Sequence, residues 1–321
     1  VSSTTHECSS WNSLIIGYHK LGESRHVLSV YHEMQEDASA QLSGYALVAL
    51  LKACALLKDL EQGMELHQLL LERGLVRRNI FIDGSLVDMY AKCGAFVKAE
   101  LVFHELAEHD VVLWNTLISG YAEHGRTKDA MRCFTEMLRT GISWNAVTFI
   151  CILKACGNVA AKVKGNEIHA YIVRKGLDHD CEVGNALVDM YAKCGMLLTA
   201  ERVLHKLPFR DVVSWNTLLA RYVEQGYGRK TLDHFEKMQQ ERISLNSITS
   251  VSILKACSSE GDIISGHAIH AEIAKKGFEG DLLVGSTLID MYSKFGLLRT
   301  ARGLFDKLKA RDSVSWTTLL S

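Results

Sequence analysis

One phrase returns along this chain at a near-constant interval. Trp11-Asn12-Ser13-Leu14, Trp114-Asn115-Thr116-Leu117 and Trp215-Asn216-Thr217-Leu218 stand 103 and then 101 residues apart, and Trp316-Thr317-Thr318-Leu319 opens another copy 101 residues on. Lys52-Ala53-Cys54 recurs at 154–156 and 255–257. The run Leu86-Val87-Asp88-Met89-Tyr90-Ala91-Lys92-Cys93-Gly94 recurs at 187–195 and, altered, at 288–296, with Phe295 in the cysteine's place. A fixed period restricts the chain to one supersecondary unit stacked on copies of itself, because a lone unit cannot bury its own apolar face. The core of such a stack is continuous, so a length of 321 residues does not imply separate globular domains.

Inside the period the apolar spacing is helical. Trp114, Leu117, Ile118 and Tyr121 fall three and four apart and stop before Gly125, which predicts one helix. Ala130, Met131, Phe134, Met137 and Leu138 predict a second. Arg139 lies in its last turn, where a cation opposes the helix dipole, and Gly141 lies just beyond. The ending recurs as Arg73-Gly74, Lys175-Gly176 and Lys276-Gly277, and the single proline, Pro208, falls between hairpins. Keeping the repeated words in phase sets units at 8–43, 44–79, 80–110, 111–145, 146–180, 181–211, 212–246, 247–281 and 282–312, with partial segments at 1–7 and 313–321. The expected fold is all-α, a solenoid of about nine complete helix–turn–helix repeats and a partial one.

Composition narrows the function. A hydrophobic content of 48% is ordinary for a folded chain, and the most apolar stretch, Gly44 to Leu57, falls short of a membrane span. A net charge of −1 gives no global attraction to nucleic acid, so any such ligand needs positive charge concentrated in a groove. Cys54, Cys156 and Cys257 share one phase of the repeat and Cys93 and Cys194 another, which fits small apolar packing better than disulfides or zinc. The chain starts within one repeat and stops just after another opens, as expected of a piece of a longer protein whose targeting peptide lies outside it.

The alternation of 35- or 36-residue units with 31-residue units, carrying these words, resembles the pentatricopeptide repeat family in its plant-type form of P, L and S repeats. Asp110-Val111-Val112-Leu113-Trp114-Asn115 and Asp211-Val212-Val213-Ser214-Trp215-Asn216 resemble openings of P repeats. Leu153-Lys154-Ala155-Cys156 followed by Ile168-His169-Ala170 resembles an L repeat. Val183-Gly184-Asn185-Ala186-Leu187 running into Tyr191-Ala192-Lys193-Cys194-Gly195 resembles an S repeat. The resemblance covers residues 8–321, with P units at 8–43, 111–145 and 212–246, each followed by an L and an S unit, and a partial P unit at 313–321. It departs from the family where the proline usual near the end of a P repeat is missing and where Phe295 stands for cysteine.

The resemblance implies a right-handed solenoid that binds single-stranded RNA in mitochondria or chloroplasts, one base per repeat, read by the fifth and last residues of the repeat. Asp at the last position can only accept a hydrogen bond, which suits the imino N–H of U or G, whereas Asn or Ser can donate to C or A. Ser or Thr at position 5 leaves room for a purine, and Asn favours a pyrimidine. On this rule Asn12 with Ser43 selects C, Gly84 with Asp110 leans to G, and Asn185 with Asp211 selects U. Asn115 with Asn145 and Asn216 with Asn246 take either pyrimidine, and Ser286 with Asp312 takes G. The L repeats carry Val48, Ile150 and Val251 at position 5, so Asn79, Asp180 and Asp281 add at most a weak bias. The target expected is C-n-G-Y-n-U-Y-n-G, with Y a pyrimidine.

Other readings of these residues compete. Asp110, Asp180, Asp211, Asp281 and Asp312 all precede helices and are equally suited to N-capping. Position 9 of the L repeats is Lys52, Lys154 and Lys255, and position 13 of the S repeats is Lys92, Lys193 and Lys294. These six lysines are candidate phosphate contacts, although Asp88, Asp189 and Asp290 lie one helical turn from the latter three. Plant members of the family often continue into a zinc deaminase, which needs a His-x-Glu and a Pro-Cys-x-x-Cys element. Here His270-Ala271-Glu272 is not repeated in the other copies, and no two cysteines are separated by two residues. No phosphate loop or nucleophile–base pair is present in the sequence either. The chain is therefore read as no enzyme by itself, without cofactor or metal, with neither membrane nor DNA as partner. It is expected to be the specificity module of an organelle C-to-U editing factor that works with a deaminase or other editing protein. The alternatives are an RNA stabilisation or processing factor, and a tetratricopeptide-like scaffold for proteins.

Overall fold

The computed structural model describes residues 4–36, 41–76, 79–106 and 108–308, with side chains from Trp11 onward. Asp312 and the partial repeat 313–321 lie outside the described residues. Those described form α-helices and one short 3-10 turn, with no strand among them.

Two compact units divide the chain, Val1–Val159 and Ala160–Ser321. The first holds α1 (Thr4–Lys20), α2 (Ser24–Gln35), α3 (Gly44–Leu57), α4 (Leu60–Glu72), α5 (Ile80–Lys92), α6 (Phe96–Glu105), α7 (Val111–Glu123), α8 (Thr127–Arg139) and α9 (Ala146–Asn158). The second holds α10 (Lys162–Arg174), α11 (Cys181–Lys193), α12 (Leu197–Lys206), α13 (Val212–Glu224), α14 (Gly228–Gln240), α15 (Ser247–Glu260), α16 (Ile263–Lys275), α17 (Leu282–Lys294) and α18 (Leu298–Lys307). Odd-numbered helices are the first helices of the hairpins. In the first unit they form one layer, α1 on α3, α3 on α5, α5 on α7 and α7 on α9. In the second, α11, α13, α15 and α17 do the same, and in both units the second helices touch the first helix that follows, α16 meeting α17 through His270 and Tyr292. Each unit is thus a two-layered stack of α-hairpins.

The apolar stripe read from the sequence is what the layers bury. Trp114, Leu117, Ile118 and Tyr121 of α7 are in the core, as are Trp215, Leu218, Leu219 and Tyr222 of α13. Each large side chain of this kind contributes about 1.5–3 kcal/mol when removed from water. Cys54, Cys156 and Cys257 pack there as reduced thiols, and burial pushes Cys54 and Cys257 up to about 12.

The L-to-S junction has its own repeated packing. A Cβ on Gly63, Gly165 or Gly266 would stand 2.4, 2.4 or 2.9 Å from the sulfur of Met89, Met190 or Met291, so glycine is what admits the methionine. Beside each, a histidine meets a tyrosine hydroxyl: His67 with Tyr90 at 2.8 Å, His169 with Tyr191 at 2.7 Å, His270 with Tyr292 at 2.7 Å. His270 also meets Glu279 at 2.9 Å, which makes it a packing residue of the same series as His67 and His169.

Candidate nucleic-acid interface

Every described last residue of a repeat caps the helix that follows. Ser43, Asn79, Asp110, Asn145, Asp180, Asp211, Asn246 and Asp281 each accept a backbone N–H from the first turn, of α3, α5, α7, α9, α11, α13, α15 and α17 respectively. The distance is 2.8 Å at Asp110, 2.9 Å at Asp180 and Asp211, and 3.0 Å at Asn246. Asn145, Asp211 and Asn246 form full capping boxes with Thr148, Ser214 and Thr249. Burial pushes the Asp211 carboxyl up, but the hydroxyl and N–H of Ser214 outweigh that and hold it below its ordinary value, so it is ionised and only accepts.

The fifth residues lie beside these caps. Asn115 Nδ2 donates to Asn145 Oδ1 and Asn216 Nδ2 to Asn246 Oδ1, both at 3.1 Å. Thr249 donates its hydroxyl to Asn216 Oδ1 at 2.6 Å, whereas Asn115 Oδ1 is buried without a partner. Asn12 lies deeper in its helix, because α1 begins at Thr4. It still reaches the next linker, accepting from Ser43 N at 2.9 Å and donating to Gln41 O at 2.8 Å. Asn185 Oδ1 is buried and unpartnered. Ser286 is buried and donates to Leu282 O at 2.7 Å. Its expected partner Asp312 lies outside the described residues. Val48 and Ile150 are half-buried and Val251 is buried.

In the first unit the parts converge. A cavity of ≈ 640 Å³ is lined by Phe81, Gly84 and Asp110, by Val112 of the next repeat, and by Lys52, Asp88 and Lys92. A Cβ on Gly84 would meet only Leu113 Cδ1, at 3.8 Å, so the fifth position there has room for a larger group. His19 lines the same cavity, and burial with the nearby Lys52 charge pushes its pKa down, keeping it neutral at pH 7.

The cavity exposes residues that the sequence reading passed over. The second residue of the repeat is Tyr45, Phe81, Val112, Val147, Val213, Ile248 or Leu283, and these apolar side chains are 48–82% exposed. Their signal was phase: they sit just ahead of the buried stripe in each copy, where packing does not call for an apolar group.

The lysines fall into two sets. Lys92, Lys193 and Lys294 are each bound to the aspartate one turn earlier, Asp88, Asp189 and Asp290, at 2.8, 2.7 and 2.8 Å. Lys154 stands 3.6 Å from Glu123. Lys52 and Lys255 are exposed and carry no ion pair among the described residues. The described residues hold no group of three or more His, Cys, Asp or Glu able to bind a metal. None of their helices is long and apolar enough to cross a membrane.

Stacked hairpins joined by capped linkers define an α-solenoid repeat protein. The chain belongs to the pentatricopeptide repeat family: the PPR repeat family model matches residues 109–158 and 210–259, and the PPR repeat model matches 9–38, 84–111, 185–212 and 286–313. That membership makes it a helical-repeat protein. A mitochondrial pentatricopeptide repeat-containing protein of Arabidopsis thaliana is 38% identical over 85% of this chain and 43% of its own length. A chloroplastic one from the same plant is 34% identical over 86% of this chain and 45% of its own length. The chain therefore spans less than half of these relatives. Among solved structures, the pentatricopeptide repeat protein PPR10 in complex with an 18-nt psaJ RNA element shares the fold, with a TM-score of 0.67 and 22% identity over 94% of this chain and 45% of that one.

Proposed function

We propose that this chain binds single-stranded RNA, one nucleotide per repeat, and reads bases with the fifth and last side chains of its repeats. The observation that carries this is the cavity around Gly84, where a fifth residue, a last residue and two exposed apolar side chains meet a free lysine. The RNA bound by PPR10 and the family membership support it. Capping supplies the reading logic. Asn145 and Asn246 commit Oδ1 to the helix, which leaves the amide Nδ2 as a donor for a base. Asp110, Asp180, Asp211 and Asp281 commit one oxygen and keep the other as an acceptor, which suits the imino N–H of U or G. Cap and base contact thus coexist on one side chain. Phe81 and Val112 offer apolar surface to the faces of a base, and stacking of this kind contributes about 1–3 kcal/mol per base.

The test is an anisotropy titration of the chain with an RNA containing CAGCAUCAG beside a scramble of it. Tighter binding of the match supports the reading, with Phe81→Ala weakening it roughly ten-fold or more. Equal binding of both RNAs overturns the pair assignments, and no binding of either by the folded chain overturns the RNA reading.

The plant-type repeat alternation and the organellar relatives support a mitochondrial or chloroplast location. They also support a role as the specificity module of a C-to-U editing factor, with the deaminase supplied by another part of the protein or by a partner. Sequencing organelle transcripts from cells lacking the protein tests that role. Lost C-to-U conversion supports it, and altered transcript ends or abundance alone assigns the protein to RNA processing.

A further inference from the structure

The second position of the repeat breaks its pattern once. Where the other described copies carry an exposed apolar side chain, the sixth repeat carries Glu182, which is exposed and has no ion pair among the described residues. The cavity around Gly84 shows what bounds a slot: the repeat's own second and fifth residues, its last residue, and the second residue of the next repeat. In the sixth repeat those four positions are Glu182, Asn185, Asp211 and Val213, all within the second unit. Two of the four are carboxylates. Lys193 does not offset them, because it is bound to Asp189 at 2.7 Å. A hydrated carboxylate presents no apolar face to a base, costs free energy to desolvate, and repels the phosphates on either side.

We propose that Glu182 makes the sixth slot an open one, in which the nucleotide is passed along rather than gripped, so that the hold on RNA concentrates at slots bounded by apolar pairs. This rests on the RNA-binding reading above. The base preference set by Asn185 and Asp211 persists there, but little binding free energy depends on it. Glu182 is the second residue of α11, so replacing it costs the helix only a favourable first-turn charge and leaves the buried stripe alone.

The test uses the full chain and CAGCAUCAG RNA with an abasic site at nucleotide 3 or at nucleotide 6, read by anisotropy. For the unmodified chain, the abasic site is expected to weaken binding about ten-fold or more at nucleotide 3 and less than about three-fold at nucleotide 6. Glu182→Val is expected to tighten the intact RNA several-fold and raise the loss at nucleotide 6 toward that at nucleotide 3. Glu182→Gln, which keeps shape and removes charge, is expected to fall between the two, with its gain shrinking as salt rises. Equal losses at the two nucleotides in the unmodified chain overturn the proposal and leave RNA binding standing. So does an unchanged affinity in both variants when circular dichroism shows them folded. Failure of the unmodified chain to bind any of these RNAs overturns the RNA reading and this inference together.

Discussion

Trp215 donates its indole N–H to Glu241 at 3.1 Å, while Trp114, its counterpart 101 residues earlier, is buried with that nitrogen unpartnered. Glu241 is itself held by Arg210, at 2.7 and 2.8 Å. The equivalent positions of the earlier copy are Thr140 and His109, neither of which supplies a carboxylate. One period therefore has a closed Arg–Glu–Trp chain, and the other lacks the acceptor.

An orphaned buried donor costs about 1–3 kcal/mol. Thr140→Glu is thus expected to stabilise the chain by about 1 kcal/mol, less a few tenths for an anion at a helix C-terminus. Adding His109→Arg, which restores the whole chain of contacts, is expected to recover that offset. Urea unfolding followed by far-UV circular dichroism checks both, and the reverse change Glu241→Thr is expected to destabilise.

Asn246 caps α15 through Oδ1, at 3.0 Å from Thr249 N. Aspartate caps as well as asparagine, so Asn246→Asp is expected to leave the fold intact while exchanging a free donor for an acceptor. Binding to RNA with U at nucleotide 7 is expected to gain over binding with C by roughly ten-fold, taking about 1–3 kcal/mol per base as the scale. Competition between the two RNAs reads the ratio.

The ion pairs sort the lysines by their availability to phosphate. Lys52→Gln and Lys255→Gln are each expected to reduce the slope of log affinity against log salt by about 0.7, the value for one contact to a single strand. Lys193→Gln is expected to change it less, since that lysine is already bound to Asp189. Titrations between low and moderate salt give the slopes.

Burial pushes His67 and His169 below their ordinary pKa, with Lys206 lowering His169 further and Glu105 opposing the shift at His67. A histidine whose folded pKa lies below the unfolded value favours the neutral form in the fold. Its contribution is complete above about pH 6.5 and is lost as pH falls from there. The urea midpoint is accordingly expected to drop between pH 7 and 5, and the double variant His67→Gln, His169→Gln is expected to flatten that drop.

Much of the interface was legible because its causes are local. A polar cap before each first helix follows from the unpaired N–H groups of the first turn, so Asp110, Asp180 and Asp211 could be placed from sequence. The Asp88–Lys92 pair was legible as neighbours one turn apart. The second position was not, because an apolar letter such as Phe81 or Val112 reads as core until the fold shows it exposed. Nor did the sequence show that Asn115 binds the cap residue Asn145, since thirty residues, with the rest of α7 and all of α8, separate them.

The sequence by itself determined the repeat period, the helical hairpin and the capped linker, because helical spacing and capping act within a few residues. Only the tertiary structure decided which side chains share a slot. Phe81, Gly84, Asp110 and Val112 surround one cavity because successive first helices pack side by side, bringing one repeat's first turn against the next. That juxtaposition depends on close packing between distant segments, where volume and contact geometry, rather than local propensity, set the distances.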